Sequence, residues 1–211
     1  MDIQLIKECE EKALAWISSP YYDEETKSEI RQMLDSEDKT ALVDAFYQNL
    51  EFGTGGLRGI MGAGTNRMNK YIVGMATQGF ANYLLKAFPA GKQLSVVVGH
   101  DCRNNGRLFA ETVAAIFSAN GIKVYLFEGL RPTPEVSFAI RHLGAQAGVN
   151  VTASHNPKEY NGYKAYWEDG AQVLAPHDKG IIDEVNQVRI EDVKSEPVPE
   201  LIEIIGGEMD Y

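Results

Sequence analysis

The chain has 211 residues, of which 44% are hydrophobic and 24% are charged, the composition of an ordinary soluble globular protein. Its two cysteines are too few for a disulfide framework, and no stretch approaches the ~18 apolar residues of a membrane span. The N-terminus lacks the apolar core of a signal peptide, so we expect a cytoplasmic protein that has no membrane partner.

The net charge of −10 is unevenly distributed along the chain. Residues 1–51 hold 13 acidic and 5 basic side chains, and residues 183–211 hold 9 and 2. The middle, residues 52–182, therefore holds 13 bases against 8 acids, a net charge of +5. A positive middle suits a small phosphorylated substrate. Because the bases are scattered singly between acidic flanks, we expect no nucleic-acid partner.

The first 51 residues predict three helices. Apolar residues recur every three or four positions over 3–17, and Pro20 ends that run. Asp23 can cap a second helix and Ser36 a third. We interpret residues 1–51 as a helical appendage that packs on the main domain.

Residues 52–190 alternate between strand and helix patterns. A glycine-rich loop at 53–64 precedes a long helix through 72–84. Then follow a strand at 94–99, a helix at 106–120, a strand at 122–127, a helix from the Pro-Thr-Pro turn at 132–134 to Gly144, strands at 147–153 and 162–167, and a helix from Pro176. This order predicts a three-layer α/β/α fold with a mixed, mostly parallel sheet. The last two strands are predicted to be antiparallel, because a linker of about eight residues is too short for a crossover.

The end of the chain changes character again. Residues 191–200 are polar and contain two prolines, and the apolar stretch Leu-Ile-Glu-Ile-Ile follows. We interpret residues 191–211 as a linker and the truncated start of another domain.

The motif T-A-S-H-N-P at 152–157, which continues to Lys164, is the strongest chemical signal. It follows a strand, and ligands of α/β sheets bind where strands end. The hydroxyl of Ser154 is a poor nucleophile without help, and phosphoryl transfer needs positive charge and positioning. Lys164 and His155 are the nearby cations, and Asn156 adds a neutral donor. The alternatives are a capped turn and a serine hydrolase, but no G-x-S-x-G elbow is present to support the latter.

The second motif is F-G-T-G-G-L-R-G at 52–59. It lacks the spacing of a dinucleotide or Walker loop, but the amides of Thr54 and Gly55 could approach an anion closely. Arg58 adds a bidentate, permanently charged fork for phosphate. The alternative is a flexible connector that carries a surface arginine.

A third motif, G-H-D-C-R-N-N-G-R at 99–107, also follows a strand. We interpret Asp101 and Arg103 as a supporting ion-pair arrangement and also count Arg103 among candidate phosphate-binding residues. The histidines at 100, 142 and 177 have no partners at metal-ligand spacing.

Taken in order, these motifs resemble the phosphohexomutase superfamily, the phosphoglucomutases and phosphomannomutases, over residues 45–190. The segments N-L-E-F-G-T-G-G-L-R-G and Y-K-A-Y-W-E-D-G-A-Q-V look most like the phosphoglucomutase-2 and phosphopentomutase branch. The resemblance implies an isomerase whose phosphoserine, Ser154, moves phosphate through a sugar-bisphosphate intermediate. It also implies that Lys164 shuttles the proton of the sugar hydroxyl, while Arg58 and His155 stabilise the transferring group.

The same resemblance implies cofactors and limits. It implies Mg²⁺, with the phosphate on Ser154 as the only ligand from this chain, and a sugar 1,6-bisphosphate activator. The Asp-rich metal loop and the G-E-x-S-G sugar loop of the family are not found in these residues. We therefore expect weak Mg²⁺ binding and negligible mutase turnover by residues 1–211 alone. The choice among glucose, mannose and pentose phosphates stays open, as do the oligomeric state and a non-catalytic sugar-phosphate-binding role.

Overall fold

The computed structural model describes residues 2–53 and 55–210. It contains seven α-helices and six strands within those residues. In chain order they are α1 Ile3–Ser18, α2 Glu24–Asp35, α3 Thr40–Phe46, β1 Gly56–Ile60, α4 Lys70–Ala87, β2 Ser95–His100, α5 Gly106–Ala119, β3 Lys123–Phe127, α6 Thr133–His142, β4 Ala147–Val151, β5 Tyr160–Trp167, α7 His177–Val185 and β6 Ile202–Ile205. Short 3-10 turns occur at Ile190–Asp192, Pro199–Leu201 and Gly207–Met209.

The six strands form one mixed sheet in the order β1-β5-β4-β2-β3-β6. The pairs β4–β2, β2–β3 and β3–β6 are parallel, whereas β5 is antiparallel to both β4 and β1. The predicted α/β/α class, the mixed sheet and the antiparallel pair are confirmed.

Side chains of successive strand residues enter two different cores, because they alternate between the faces of the sheet. Tyr163 and Ala165 of β5 join the large core under α4, α5 and α7, whereas Tyr166 joins the smaller core under α6. By the same alternation, Lys164 belongs to the α6 face. Alternation along each strand thus determines on which face of the sheet a basic residue lies.

A separate apolar cluster holds the N-terminal helices together. Trp16 of α1 stacks on Tyr22 with ring centroids 4.0 Å apart and meets Tyr71 of α4 edge-on at 5.9 Å. The backbone amide of Asp23 donates to the Tyr71 hydroxyl at 2.8 Å. These helices therefore pack against α4 through Trp16, Tyr22 and Tyr71.

Three local expectations differ from the structure. Ser36 is the C-cap of α2 and does not begin the third helix, because α3 begins at Thr40 and the Asp38 side chain accepts from the Thr40 amide at 2.9 Å. The glycine-rich segment is not wholly a loop, because residues 56–60 form strand β1. Residues 202–205 pair with β3 as the edge strand of the same sheet instead of opening another domain. Ile205 is buried on that sheet edge and Ile202 packs against the large core, whereas Ile204 is exposed. Among the described residues, no helix is both long enough and apolar enough to cross a membrane.

Candidate active site

Ser154 lies three residues beyond the end of β4 and is exposed at the carboxyl edge of the parallel strands. Its φ of +57° is in the left-handed region, which costs a residue with a side chain roughly 1–2 kcal/mol. The backbone amide of Ser154 donates to Thr152 Oγ1 at 3.0 Å. Such a conformation persists only where the surroundings hold it, and it is typical of functional sites.

Arg103 holds this loop through four backbone carbonyls. One terminal nitrogen donates to the carbonyl oxygens of Ser154 at 2.8 Å and Asn156 at 2.7 Å. The other donates to those of Pro157 and Tyr160, both at 2.9 Å. Only 10% of the Arg103 side chain is exposed. The structure thus agrees with the supporting role expected for Arg103, and direct phosphate binding by Arg103 stays a prediction.

Asp101 connects Arg103 to Thr152, whose hydroxyl oxygen accepts from the Ser154 amide. Its Oδ1 accepts from the Arg103 amide at 3.1 Å, and its Oδ2 lies 3.4 Å from Arg103 Nε. The Thr152 hydroxyl donates to the same Oδ2 at 2.5 Å and itself accepts from the Ser154 amide. The three side chains therefore form one network around the loop.

Arg58 links the glycine-rich segment to the serine loop. It lies on β1, exposed, and its Nη1 donates to Asn156 Oδ1 at 3.0 Å although the two residues are 98 positions apart. The sheet register explains the approach, since Arg58 lies opposite Gly162 of β5, whose carbonyl accepts from the Thr152 amide at 3.0 Å. Two motifs that the sequence analysis singled out are thus brought together.

Lys164 lies on the same face of the sheet as Arg58. In the register it lies opposite Gly56 of β1 and Asn150 of β4, and it is half-buried. Across residues 2–53 and 55–210, no carboxylate lies within ion-pair distance of Lys164 or Arg58. This face of β1 and β5 therefore offers two cations for an anion, and we call it the cationic face.

The other predicted residues are placed less closely. His155 is exposed beside Ser154. Gly55 is buried at φ +83°, and its carbonyl accepts from the Ala165 amide at 2.9 Å, which ties the glycine turn to β5. Thr54 lies outside the described residues, so its predicted phosphate contact stays a prediction.

Sequence reasoning missed Thr152 and Asn161. Asn161 is fully buried, donates to the Asn104 carbonyl at 2.9 Å and accepts from the Gly162 amide at 2.8 Å. It thus joins the loop after β2 to the start of β5. A threonine two residues before Ser154 was a readable signal, because such hydroxyls commonly bond a backbone group two positions away.

The comparison with known proteins decides the family. The domain described as "Phosphoglucomutase/phosphomannomutase, alpha/beta/alpha domain I" matches residues 49–191. The chain belongs to the phosphoglucomutase/phosphomannomutase family. This match contains all three motifs and every element from β1 to α7.

Curated relatives agree with this assignment. The chain is 48% identical over 159 residues to the probable phosphoribomutase of Schizosaccharomyces pombe and 43% identical over 174 residues to the phosphopentomutase of Mus musculus. These alignments cover 75% and 80% of the chain but 27% of each relative. The chain therefore spans about a quarter of the length of these curated relatives.

A solved structure shows the same fold. A protein of Thermus thermophilus, provisionally assigned as a phosphomannomutase, superposes with a TM-score of 0.64 at 31% identity. The superposition covers 75% of this chain and 33% of that protein. The predicted membership of the phosphohexomutase superfamily, near its phosphopentomutase branch, is confirmed.

Proposed function

We propose that this chain forms the phosphoserine part of a phosphosugar mutase site, with Ser154 as the phosphoryl carrier. The observation that supports this most is the geometry of Ser154. Its exposed hydroxyl is presented by a backbone held at positive φ, and its loop is bonded to Arg58 of the cationic face. A residue held in this way is positioned before any ligand arrives, which phosphoryl transfer requires.

In the proposed transfer, the bond between phosphorus and Ser154 Oγ breaks as a bond forms from a sugar hydroxyl oxygen to that phosphorus. The Lys164 ammonium gives a proton to Ser154 Oγ as that oxygen leaves, and the resulting amine takes the proton of the attacking sugar hydroxyl. In the second half Ser154 Oγ attacks the other phosphate of the sugar bisphosphate, and Lys164 takes the serine proton and gives one to the sugar oxygen that leaves. The sugar leaves with its phosphate moved and the serine phosphorylated again.

Arg58 and His155 supply charge to this step. Negative charge spreads over the equatorial oxygens during transfer, and fixed positive groups stabilise it without reorganising. Arg58 already donates one bond to Asn156 on the serine loop, which leaves other N–H groups of its fork for phosphate.

Magnesium does not fit the described residues by themselves. Residues 2–53 and 55–210 contain no group of three or more His, Cys, Asp or Glu side chains that could hold a metal ion. Mg²⁺ binding through the phosphate on Ser154 remains a proposal from the family.

The relatives' names favour a pentose phosphate as substrate, since both curated relatives above are named for pentose or ribose phosphates. Phosphoryl exchange by the full-length protein tests the proposal: it is mixed with a sugar bisphosphate and an isotope-labelled sugar monophosphate, with ribose and glucose compounds in parallel. We expect label to appear in the bisphosphate with the wild type and not with Ser154→Ala. Monophosphate binding without exchange, equal in both proteins, would indicate a non-catalytic sugar-phosphate-binding domain instead.

A further inference from the structure

Both backbone polar groups of Ser154 are fixed from outside the serine itself. Its amide is held by Thr152 Oγ1 at 3.0 Å, and its carbonyl is held by Arg103 at 2.8 Å. Fixing the N–H and the C=O of one residue fixes its φ and ψ, and hence the direction of the Cα–Cβ bond that carries the hydroxyl. The direction of this bond in Ser154 is therefore set by Arg103 and Thr152.

We infer that Arg103, held by Asp101, is the positioning residue that aims the Ser154 hydroxyl at the transferring phosphoryl group; the inference rests on the proposed function. The guanidinium does not need to touch the phosphate for this. Its two terminal nitrogens donate to four carbonyls of residues 154, 156, 157 and 160. Arg103 thus acts on the chemistry through the backbone of the loop.

The guanidinium suits this role for a physical reason. Four carbonyl oxygens that converge on one point repel each other, and a buried cation with a planar fork of donors satisfies all of them at once. A lysine ammonium has one nitrogen with three donors, so it cannot make four bonds to acceptors spread over seven residues. Lysine would leave a carbonyl unpaired and let the loop open.

Asp101 fixes the positions of the Arg103 guanidinium and the Thr152 hydroxyl relative to each other. One oxygen accepts the Arg103 amide, and the other lies between Arg103 Nε and the Thr152 hydroxyl. The Asp101 amide donates in turn to the Val151 carbonyl at 3.2 Å, which anchors the network to the end of β4. The network therefore ties the serine loop to the end of β4 in the sheet.

Hydrogen exchange measured by NMR on the 211-residue chain tests the inference without any catalysis. The amides of Asn156 and Tyr160 are bonded inside the loop, and that of Ser154 to Thr152. We expect Arg103→Lys to speed exchange at these amides by about 100-fold, while the β4 amides change by less than about three-fold. Arg107→Lys is the matched control. Arg107 lies on α5 and also donates to two carbonyls, those of Phe127 and Glu128, which are outside the serine loop, so this change should leave the loop unchanged.

Phosphoryl exchange by the same variants of the full-length protein connects the loop to chemistry. Because a displacement of about 1 Å can cost about 100-fold in rate, we expect Arg103→Lys to lower kcat by about that factor with KM within about three-fold. Wild-type loop protection retained in Arg103→Lys, or equal loss at loop and sheet amides, would overturn the inference. Wild-type protein without exchange would instead overturn the proposed function and leave the hydrogen-exchange result to stand alone.

Thr152→Val provides the second variant should Arg103→Lys fail to fold. It removes the hydroxyl that accepts from the Ser154 amide and keeps the side-chain shape. We expect the Ser154 amide to lose protection by about 10-fold or more while the β2 amides keep theirs. Unchanged protection at Ser154 would contradict the inference.

Discussion

At the scale of single residues, the candidate site combines an exposed serine with basic side chains that no carboxylate of the described residues neutralises. Lys164 and Arg58 share a sheet face, and neither is neutralised by a carboxylate within the described part of the chain. Ser154 is exposed and its loop is already bonded to Arg58 through Asn156. The bonds of Arg103, in contrast, go to the backbone carbonyls of the loop, while Lys164 and Arg58 lie on the cationic face.

Lys164→Met tests the proton-transfer role directly. The substitution keeps a long unbranched side chain in β5 but removes the amine, so we expect the kcat of phosphoryl exchange to fall by about 10²–10⁴-fold. Lys158→Met, on the exposed part of the serine loop, is the control and should keep the wild-type rate. A Lys164→Met enzyme with wild-type kcat would show that another group takes the proton.

At the scale of elements, the sequence predicted the strands and helices that its own side chains determine. β2, β3 and β4 are apolar because both faces of the sheet are covered, and that pattern is readable. β1 was missed, because Gly56 and Gly59 disfavour strands and only its pairing with β5 makes it one. β6 was assigned to another domain, because its partner β3 lies some 80 residues earlier and local sequence cannot show that pairing.

The same distinction applies to the site. Ser154, Arg58 and Lys164 could be singled out from the sequence because a hydroxyl and two basic side chains are residue types that suit phosphate chemistry. The four acceptors of Arg103 are backbone carbonyls more than 50 positions away, and no residue type marks them. The positioning network therefore became visible only in three dimensions.

The start of α2 supports a prediction about pH. Burial disfavours the charge of Asp23, but hydrogen bonds from the Lys70 ammonium and the Thr26 amide outweigh it and hold the pKa of Asp23 well below its ordinary value. A carboxyl whose pKa is lower in the folded state stabilises the fold above its unfolded pKa of about 4, and this stability is lost as the pH falls through the folded pKa.

We therefore expect Asp23→Ala to lower the free energy of unfolding by about 1 kcal/mol at pH 7, through the lost helix cap. Its free energy of unfolding should also fall less than that of the wild type as the pH is lowered from about 5 to 2. Urea unfolding at several pH values measures both. Asp35→Ala, at the other end of α2, is the control, and equal pH slopes in Asp23→Ala and wild type would contradict the assignment.

At the scale of the whole molecule, the acidic N-terminal helices lie away from the cationic face. They share a cluster with Tyr71 of α4, and Ile190 packs against the same cluster. Since α4 covers the large core on one face of the sheet, the N-terminal acids lie on the side opposite the cationic face. A net charge of −10 is thus compatible with anion binding, because the local field at the site is set by the nearer basic residues.

The central claim is that Ser154 carries a phosphoryl group, and intact-mass spectrometry of the full-length protein after exposure to a sugar bisphosphate tests it most directly. We predict that the wild type gains the mass of one phosphoryl group and that fragmentation places it on Ser154. Ser195→Ala, which removes another exposed serine, should gain the same mass, and Ser154→Ala should gain none. A phosphoryl adduct that persists in Ser154→Ala, or a wild type that never acquires one, would contradict the account.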